Sequence, residues 1–283
     1  MKKLKLFSLL IFSQTLCIAQ QEPLTTMFWN NYSINNPAAT GIYNTYYAAS
    51  TSRIQWTNIN GKPITQSVLF DYNLDKINSG IGLNYTFDQI GFEKSNKINF
   101  NYSYHLKLKK ERALNAGLSF GYEKLILNYE EFVTISVNDP LIPLSANYNF
   151  FNIGVGFLFK MPHLLVGVSA TQLNERKELF YNKSRHIYFC TIGNINLTKN
   201  IEIKPGIYYR AVDGKSLLES NIRFAFNKKY WAGVSYRIQN SICFMAGLDI
   251  KEKYRISYAY DHFTNNPINF GATHELGLVV MLR

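Results

Sequence analysis

Two residues of this 283-residue chain have the types and spacing from which nucleophilic catalysis starts, Ser103 and His105. They lie two apart, so an extended backbone points both to one face. A working nucleophile and base also need a third group that orients the base. No acid neighbours this pair, and no nucleophile motif surrounds Ser103. The other histidines are scattered: His163 beside a turn, His186 and His262 near strand ends, His274 next to Glu275. None has metal-ligand spacing. Asn138-Asp139-Pro140 brings a single carboxylate to a loop, which suits an Asx-turn before proline better than a calcium loop. Cys190 and Cys243 share no motif spacing; two small apolar fillers and a disulfide between them both fit. Phe28, Trp29 and Tyr32 form an aromatic cluster suited to packing a plug or holding a ligand. No constellation meets the nucleophile–base test, so the chain reads as a non-enzyme with no cofactor and no metal.

His105 belongs to the most regular stretch of the sequence. Ile98, Phe100, Tyr102, Tyr104, Leu106 and Leu108 alternate with Asn99, Asn101, Ser103, His105, Lys107 and Lys109. After Lys110-Glu111-Arg112 the alternation restarts with Leu114, Ala116, Leu118, Phe120 and Tyr122. A period of two is a strand with one apolar face. A very short charged link makes the two runs antiparallel neighbours. Runs this long exceed the usual strand of about 5–6 residues. They match the roughly 9–11 residues of a tilted strand crossing a bilayer.

Composition agrees. Charged residues are 17% of the chain and aromatics 15%, with 20 Tyr and 20 Phe. Ordinary soluble domains carry about 25% charged residues. Mean hydropathy is only −0.13, as expected when lipid-facing and interior-facing residues average out. A soluble β-sandwich would need shorter strands and fewer exposed aromatics. The net charge of +11 comes from Lys and Arg scattered through turns and polar faces. That scatter lacks the dense patch of a nucleic-acid binder, so no nucleic-acid partner is expected.

The N-terminus reads as a secretory signal over residues 1–19: Lys2-Lys3, an apolar run from Leu4 to Ile11, and Cys17-Ile18-Ala19 before Gln20. Leu16 is bulky where a lipoprotein signal wants a small residue. Residues 20–44 lack strict alternation and are punctuated by Pro37 and Gly41. This segment is expected to cross the barrel floor, enter the lumen as a plug, or lie in the periplasm. Residues 45–283 are assigned to the barrel.

Within them the alternation predicts strands near 45–57, 64–74, 79–89, 95–109, 112–124, 146–160, 163–172, 186–198, 201–211, 216–227, 230–239, 241–250, 253–262 and 272–283. The fold class is therefore all-β: a transmembrane antiparallel β-barrel of about 14 strands with an N-terminal non-barrel segment. An even strand number permits antiparallel closure, which removes unpaired edges. Even-numbered links are short and often carry lysine (Lys110-Glu111, Lys199-Asn200, Lys228-Lys229, Lys251-Glu252), whereas the long links are odd-numbered. Short turns belong to the periplasmic rim of outer-membrane barrels. The expected location is a Gram-negative outer membrane.

The order of motifs resembles the PorP/SprF family of Bacteroidetes outer-membrane proteins. The blocks are Met27-Phe28-Trp29-Asn30, Asn36-Pro37-Ala38, Arg53-Ile54-Gln55-Trp56 with Gly61 and Pro63, Asp88-Gln89-Ile90-Gly91, Asn138-Asp139-Pro140, Ile201-Glu202-Ile203-Lys204-Pro205, Tyr230 to Arg237, Ile256 to Asp261, and His274-Glu275. The resemblance implies a barrel of the type IX secretion and gliding machinery without catalytic residues. Its implied partners are outer-membrane lipid, type IX secretion components, a large surface adhesin or cargo protein, and a periplasmic ring or peptidoglycan-associated protein. The matching positions Trp29, Asn36, Pro37, Arg53, Trp56, Gly61, Pro63, Asp139, Pro140, Trp231, Arg237 and Asp261 are then structural or partner-contact residues. A second reading is an outer-membrane transporter for small hydrophobic molecules, of the fatty-acid-transporter type, which also has fourteen strands and an N-terminal Asn-Pro-Ala segment. An apolar lumen and an internal plug would favour the transporter; a polar, filled lumen would favour the secretion partner.

Overall fold

A computed structural model describes residues 24–43, 45–128, 145–177, 181–238, 241–264 and 270–282. The expected signal at 1–19, and the Asn138-Asp139-Pro140 turn, lie outside the described residues. Strands come where the period of two places them. The first seven are β1 (Tyr46–Ile54), β2 (Ile64–Leu74), β3 (Ser79–Ile90), β4 (Glu93–Leu108), β5 (Arg112–Asn128), β6 (Ser145–Lys160) and β7 (Leu164–Thr171). Two short pieces, β8 (Arg176–Lys177) and β9 (Asn182–Lys183), pair with each other. Next come β10 (His186–Gly193) and β11 (Ile195–Asn196), which divide the predicted 186–198 strand at Asn194. The chain continues through β12 (Ile201–Val212), β13 (Lys215–Phe226), β14 (Tyr230–Arg237), β15 (Ser241–Ile250), β16 (Tyr254–Phe263) and β17 (Thr273–Leu282).

Each long strand pairs antiparallel with the next, and β1 pairs with β17 from Tyr46↔Leu282 to Ile54↔His274. Fourteen long strands thus form a closed barrel, with β11 extending the ladder along β12. Closure leaves no edge in the hydrocarbon layer, where an unpaired N–H has no water to bond.

The two faces separate as the alternation requires. On β4, Phe100 is 50% exposed while Asn101 is 1% exposed. On β5, Phe120 is exposed and Asn115 is buried. Oily residues face outward and polar ones inward. The main apolar cluster lies in the lumen, where Met27, Phe28, Trp29, Tyr32, Ala38, Ala39 and Ile42 meet the wall. An early segment of the same chain fills the lumen.

The short-link rim is built from tight hairpins. Asn227-Lys228 and Lys251-Glu252 are consecutive pairs with positive φ. Lys229 N bonds Phe226 O at 3.0 Å, and Lys253 N bonds Ile250 O at 3.0 Å. That is the geometry of type I′ turns, whose twist matches the flanking strands.

Candidate functional site in the barrel lumen

The segment Leu24–Ile42 threads the barrel interior. It folds as a 3-10 turn (Phe28–Asn30), one α-turn (Tyr32–Asn35) and a second 3-10 turn (Pro37–Ala39). Asn36 starts the last turn by accepting from Ala38 N at 3.0 Å, and Pro37 at the first position supplies the required φ. Such short turns leave many backbone groups without internal partners, and the barrel wall provides them. Ser33 O accepts from Asn84 Nδ2 at 3.3 Å and from Asn101 Nδ2 at 2.8 Å. Ala38 O accepts from Ser103 Oγ at 3.3 Å and Asn115 Nδ2 at 3.2 Å. His105 Nε2 lies 3.0 Å from Thr40 O. Ser103 and His105, the pair that catalysis would have needed, instead hold carbonyls of the plug.

Aromatic packing holds the opposite side of the plug. Phe28 stacks on Tyr208 with centroids 4.7 Å apart, and Trp29 meets Trp231 edge-on at 6.1 Å. Asn36 and Pro37 sit against glycines of the wall. A Cβ on Gly117 would fall 2.2 Å from Ala38 N, so only glycine lets the backbone come this close.

The upper end of the plug is fixed by a buried ion network. Arg53 Nη2 lies 2.6 Å from Asp261 Oδ2, and Arg53 Nη1 lies 2.9 Å from Glu275 Oε2. Arg237 reaches Glu219 at 2.8 Å and Asp261 at 3.3 Å. Charges taken this far out of water persist only when paired and hydrogen-bonded. The plug joins the network directly. Thr26 N and Met27 N donate to Glu275 at 2.7 and 2.9 Å, and Thr26 Oγ1 donates to Asp261 Oδ1 at 2.9 Å. Arg53 stands next to the long-link end of β1, whereas Gly41 packs on Gly80 near the short-link rim. The plug therefore runs down the lumen from the outer half toward the periplasmic rim, taking short turns as periplasmic.

The residues singled out from sequence fall into four places. Arg53, Arg237 and Asp261 meet in the ion network. Trp29 and Trp231 meet across the plug, and Asn36 and Pro37 form its turn. Trp56, Gly61 and Pro63 shape the link after β1: Trp56 has φ 54° and packs on Phe270 at 5.6 Å, Gly61 O accepts from Gly91 N at 2.8 Å, and Pro63 O accepts from Gln55 N at 2.9 Å. Asp139 and Pro140 lie outside the described residues. Glu219 lies in none of the sequence motifs and Glu275 only in the closing one, yet both complete the network. Their signal was present, since each falls on the inward phase of a strand where a carboxylate must find a cation. A second buried pair, Lys183 and Glu123 at 3.1 Å, was also missed. Among the described residues Cys190 and Cys243 are buried free thiols.

A closed barrel of fourteen long strands with an oily exterior and a polar, plugged lumen defines an outer-membrane protein of the Gram-negative type. Its fold is similar to that of the outer membrane protein Omp33 of Acinetobacter baumannii, with 12% identity, 86% of this chain and 100% of that one covered, and a TM-score of 0.52. A Pseudomonas aeruginosa FadL homologue matches with 9% identity over 90% of this chain and 94% of that one, TM-score 0.53. The Ralstonia pickettii toluene transporter TbuX matches with 9% identity over 87% and 91%, TM-score 0.52. At these identities the likeness is one of fold. No curated protein matches the sequence. Residues 17–280 match the family described as Type IX secretion system membrane protein PorP/SprF. The chain belongs to that family, which gives it a role in type IX secretion at the outer membrane.

Proposed function

We propose that this protein is a partner barrel of the type IX secretion and gliding machinery, assisting export or surface anchoring of a large adhesin or cargo protein. Its long-link rim meets the adhesin or cargo, and its lysine-bearing short-link rim meets a periplasmic ring or peptidoglycan-associated component. The observation that carries this reading is the filled lumen. Thr26 through Thr40 occupy it, bonded to the wall on one side and packed on the other. A barrel whose interior is its own core offers its rims, rather than a passage, to a large protein. The twelve motif positions then hold the plug and rims in shape, and no catalytic step is assigned to them. Residues 1–19 act as a cleaved export signal, 20–44 as the plug segment and 45–283 as the barrel.

The test is affinity purification of the tagged chain from outer membranes. Recovery of secretion components or a surface adhesin is expected; recovery of neither contradicts the proposal.

The transporter reading retains one supporting observation. The Asn36-Pro37-Ala38 plug is internal, and two barrels of like fold are named as a FadL homologue and a toluene transporter. Against it stands the wall, where Arg53, Arg237, Glu219, Asp261 and Glu275 are buried beside the plug. Saturable uptake of toluene or a fatty acid into vesicles carrying this chain alone would favour the transporter.

A further inference from the structure

Below the ion network, a cavity of about 300 Å³ lies between the plug and the wall. Its lining includes Met161, Pro162 and His163 of the short link after β6, so it opens at the short-turn rim. Cations converge on it: Lys160, Lys204, Arg223 and Arg255. Two of these are neutralised locally. Arg255 is held by Asp249 at 2.6 Å, and Lys204 by Glu202 at 2.9 Å. Lys160 donates to a neutral acceptor, Ile42 O, at 3.1 Å.

Arg223 is the anomaly. It is 6% exposed, its Nε has no hydrogen-bond partner, and it has no carboxylate partner among the described residues. Its guanidinium carbon lies 3.7 Å from the centroid of the Trp29 ring. A guanidinium taken out of water is unfavourable unless an anion compensates it. The cation–π contact offsets part of that cost. Arg223 and Lys160 are thus the two cations of the lining with no carboxylate beside them among the described residues. Apart from His163 and Asn194, the rest of the lining is apolar or aromatic, with Tyr47, Leu165 and Ile192 beside Trp29. A bare phosphate or sulfate would leave that surface unused.

We propose that this cavity is a periplasm-facing binding site for an organic carboxylate carried on an apolar or aromatic body, with the carboxylate on Arg223 and Lys160 and the body against Trp29 and Tyr47. The same chemistry is offered by a peptide chain end and by a free small acid. The volume, at the small end of ligand pockets, admits one such group and not a folded domain.

The test is titration of the purified full-length barrel in detergent, followed through tryptophan fluorescence, because Trp29 lies against the binding group. Phenylacetate is expected to give a saturable change, and its neutral isostere phenylacetamide at least tenfold weaker binding. Arg223→Gln is expected to weaken phenylacetate at least tenfold, with Arg223→Lys recovering part of it and the rim variant Arg112→Gln unchanged. An acetylated dipeptide ending in phenylalanine, free or amidated, separates the sources: tighter binding than phenylacetate by the free form alone assigns a chain end, and weaker binding assigns a small acid. Equal binding of acid and amide, no saturable change with either carboxylate, or an unchanged Arg223→Gln would overturn the proposal. Inorganic phosphate binding as tightly as phenylacetate would also overturn it, by showing a plain anion site.

Discussion

Arg53 and Asp261 stand 208 positions apart in sequence and 2.6 Å apart in space, both fully buried. The contact joins β1 to β16, across β17, the strand that closes the barrel. Thr26 of the plug accepts from Arg53 at 2.8 Å and donates to Asp261, so the bond that ties the seam also ties the plug.

Removing one partner of this pair should cost more than removing both. Arg53→Met leaves Asp261 and Glu275 buried with only Arg237 near, and a broken buried pair costs about 3–5 kcal/mol. Arg53→Met alone is expected to lower the urea midpoint of the detergent-folded barrel markedly. Arg53→Met with Asp261→Asn is expected to recover part of the loss. A double-mutant cycle with no coupling would show that the pair contributes nothing.

Glu275 grips the plug by its backbone rather than by a side chain, through Thr26 N and Met27 N. Glu275→Ala is expected to raise amide exchange at Thr26 and Met27 at least tenfold. Exchange within β4 and β5 should stay unchanged. Unaltered exchange at both amides would contradict the clasp.

Two glycines should answer differently to a side chain. Gly117→Val drives a Cβ into the plug backbone, where Ala38 N would lie 2.2 Å away. The plug must move, and Trp29 fluorescence is expected to shift to the red. Gly91→Ala meets nothing within 4 Å but keeps φ +57°. It is expected to cost about 1–2 kcal/mol of left-handed strain and to leave Trp29 fluorescence unchanged.

Phe120 faces outward in the middle of β5, opposite Phe100 and Ile153. Phe120→Arg would place a cation against lipid, at about 2–4 kcal/mol near the bilayer midplane. Folding yield into liposomes is expected to fall, whereas Lys110→Gln at the rim should fold as the wild type does.

The strand scaffold was legible because a period of two shows in every wall strand. The predicted 64–74 and 241–250 coincide with β2 and β15. Boundaries failed where pairing outlasts the alternation. β5 continues to Asn128, beyond the predicted 124, because Leu125 and Leu127 turn inward onto Phe150. Asn194 interrupts a strand read as continuous. The tight turns were found by their shortness alone, since Asn227-Lys228 and Lys251-Glu252 lack the glycine that marks most left-handed pairs. The lumen was half legible. Arg53, Arg237 and Asp261 stood out singly, but nothing local says that an arginine of β1 meets an aspartate of β16. That pairing comes from closure, a property of the whole sheet. Arg223 was invisible for the same reason: its want of a partner appears only once the opposing wall is in place.

Leu24–Ile42 fills the barrel. Planar-bilayer conductance of the full chain beside a chain lacking residues 24–42 tests it most directly. The full chain is expected to show no steady current, and the shortened chain discrete open-channel steps. Equal conductance in the two would mean that the segment does not close the lumen.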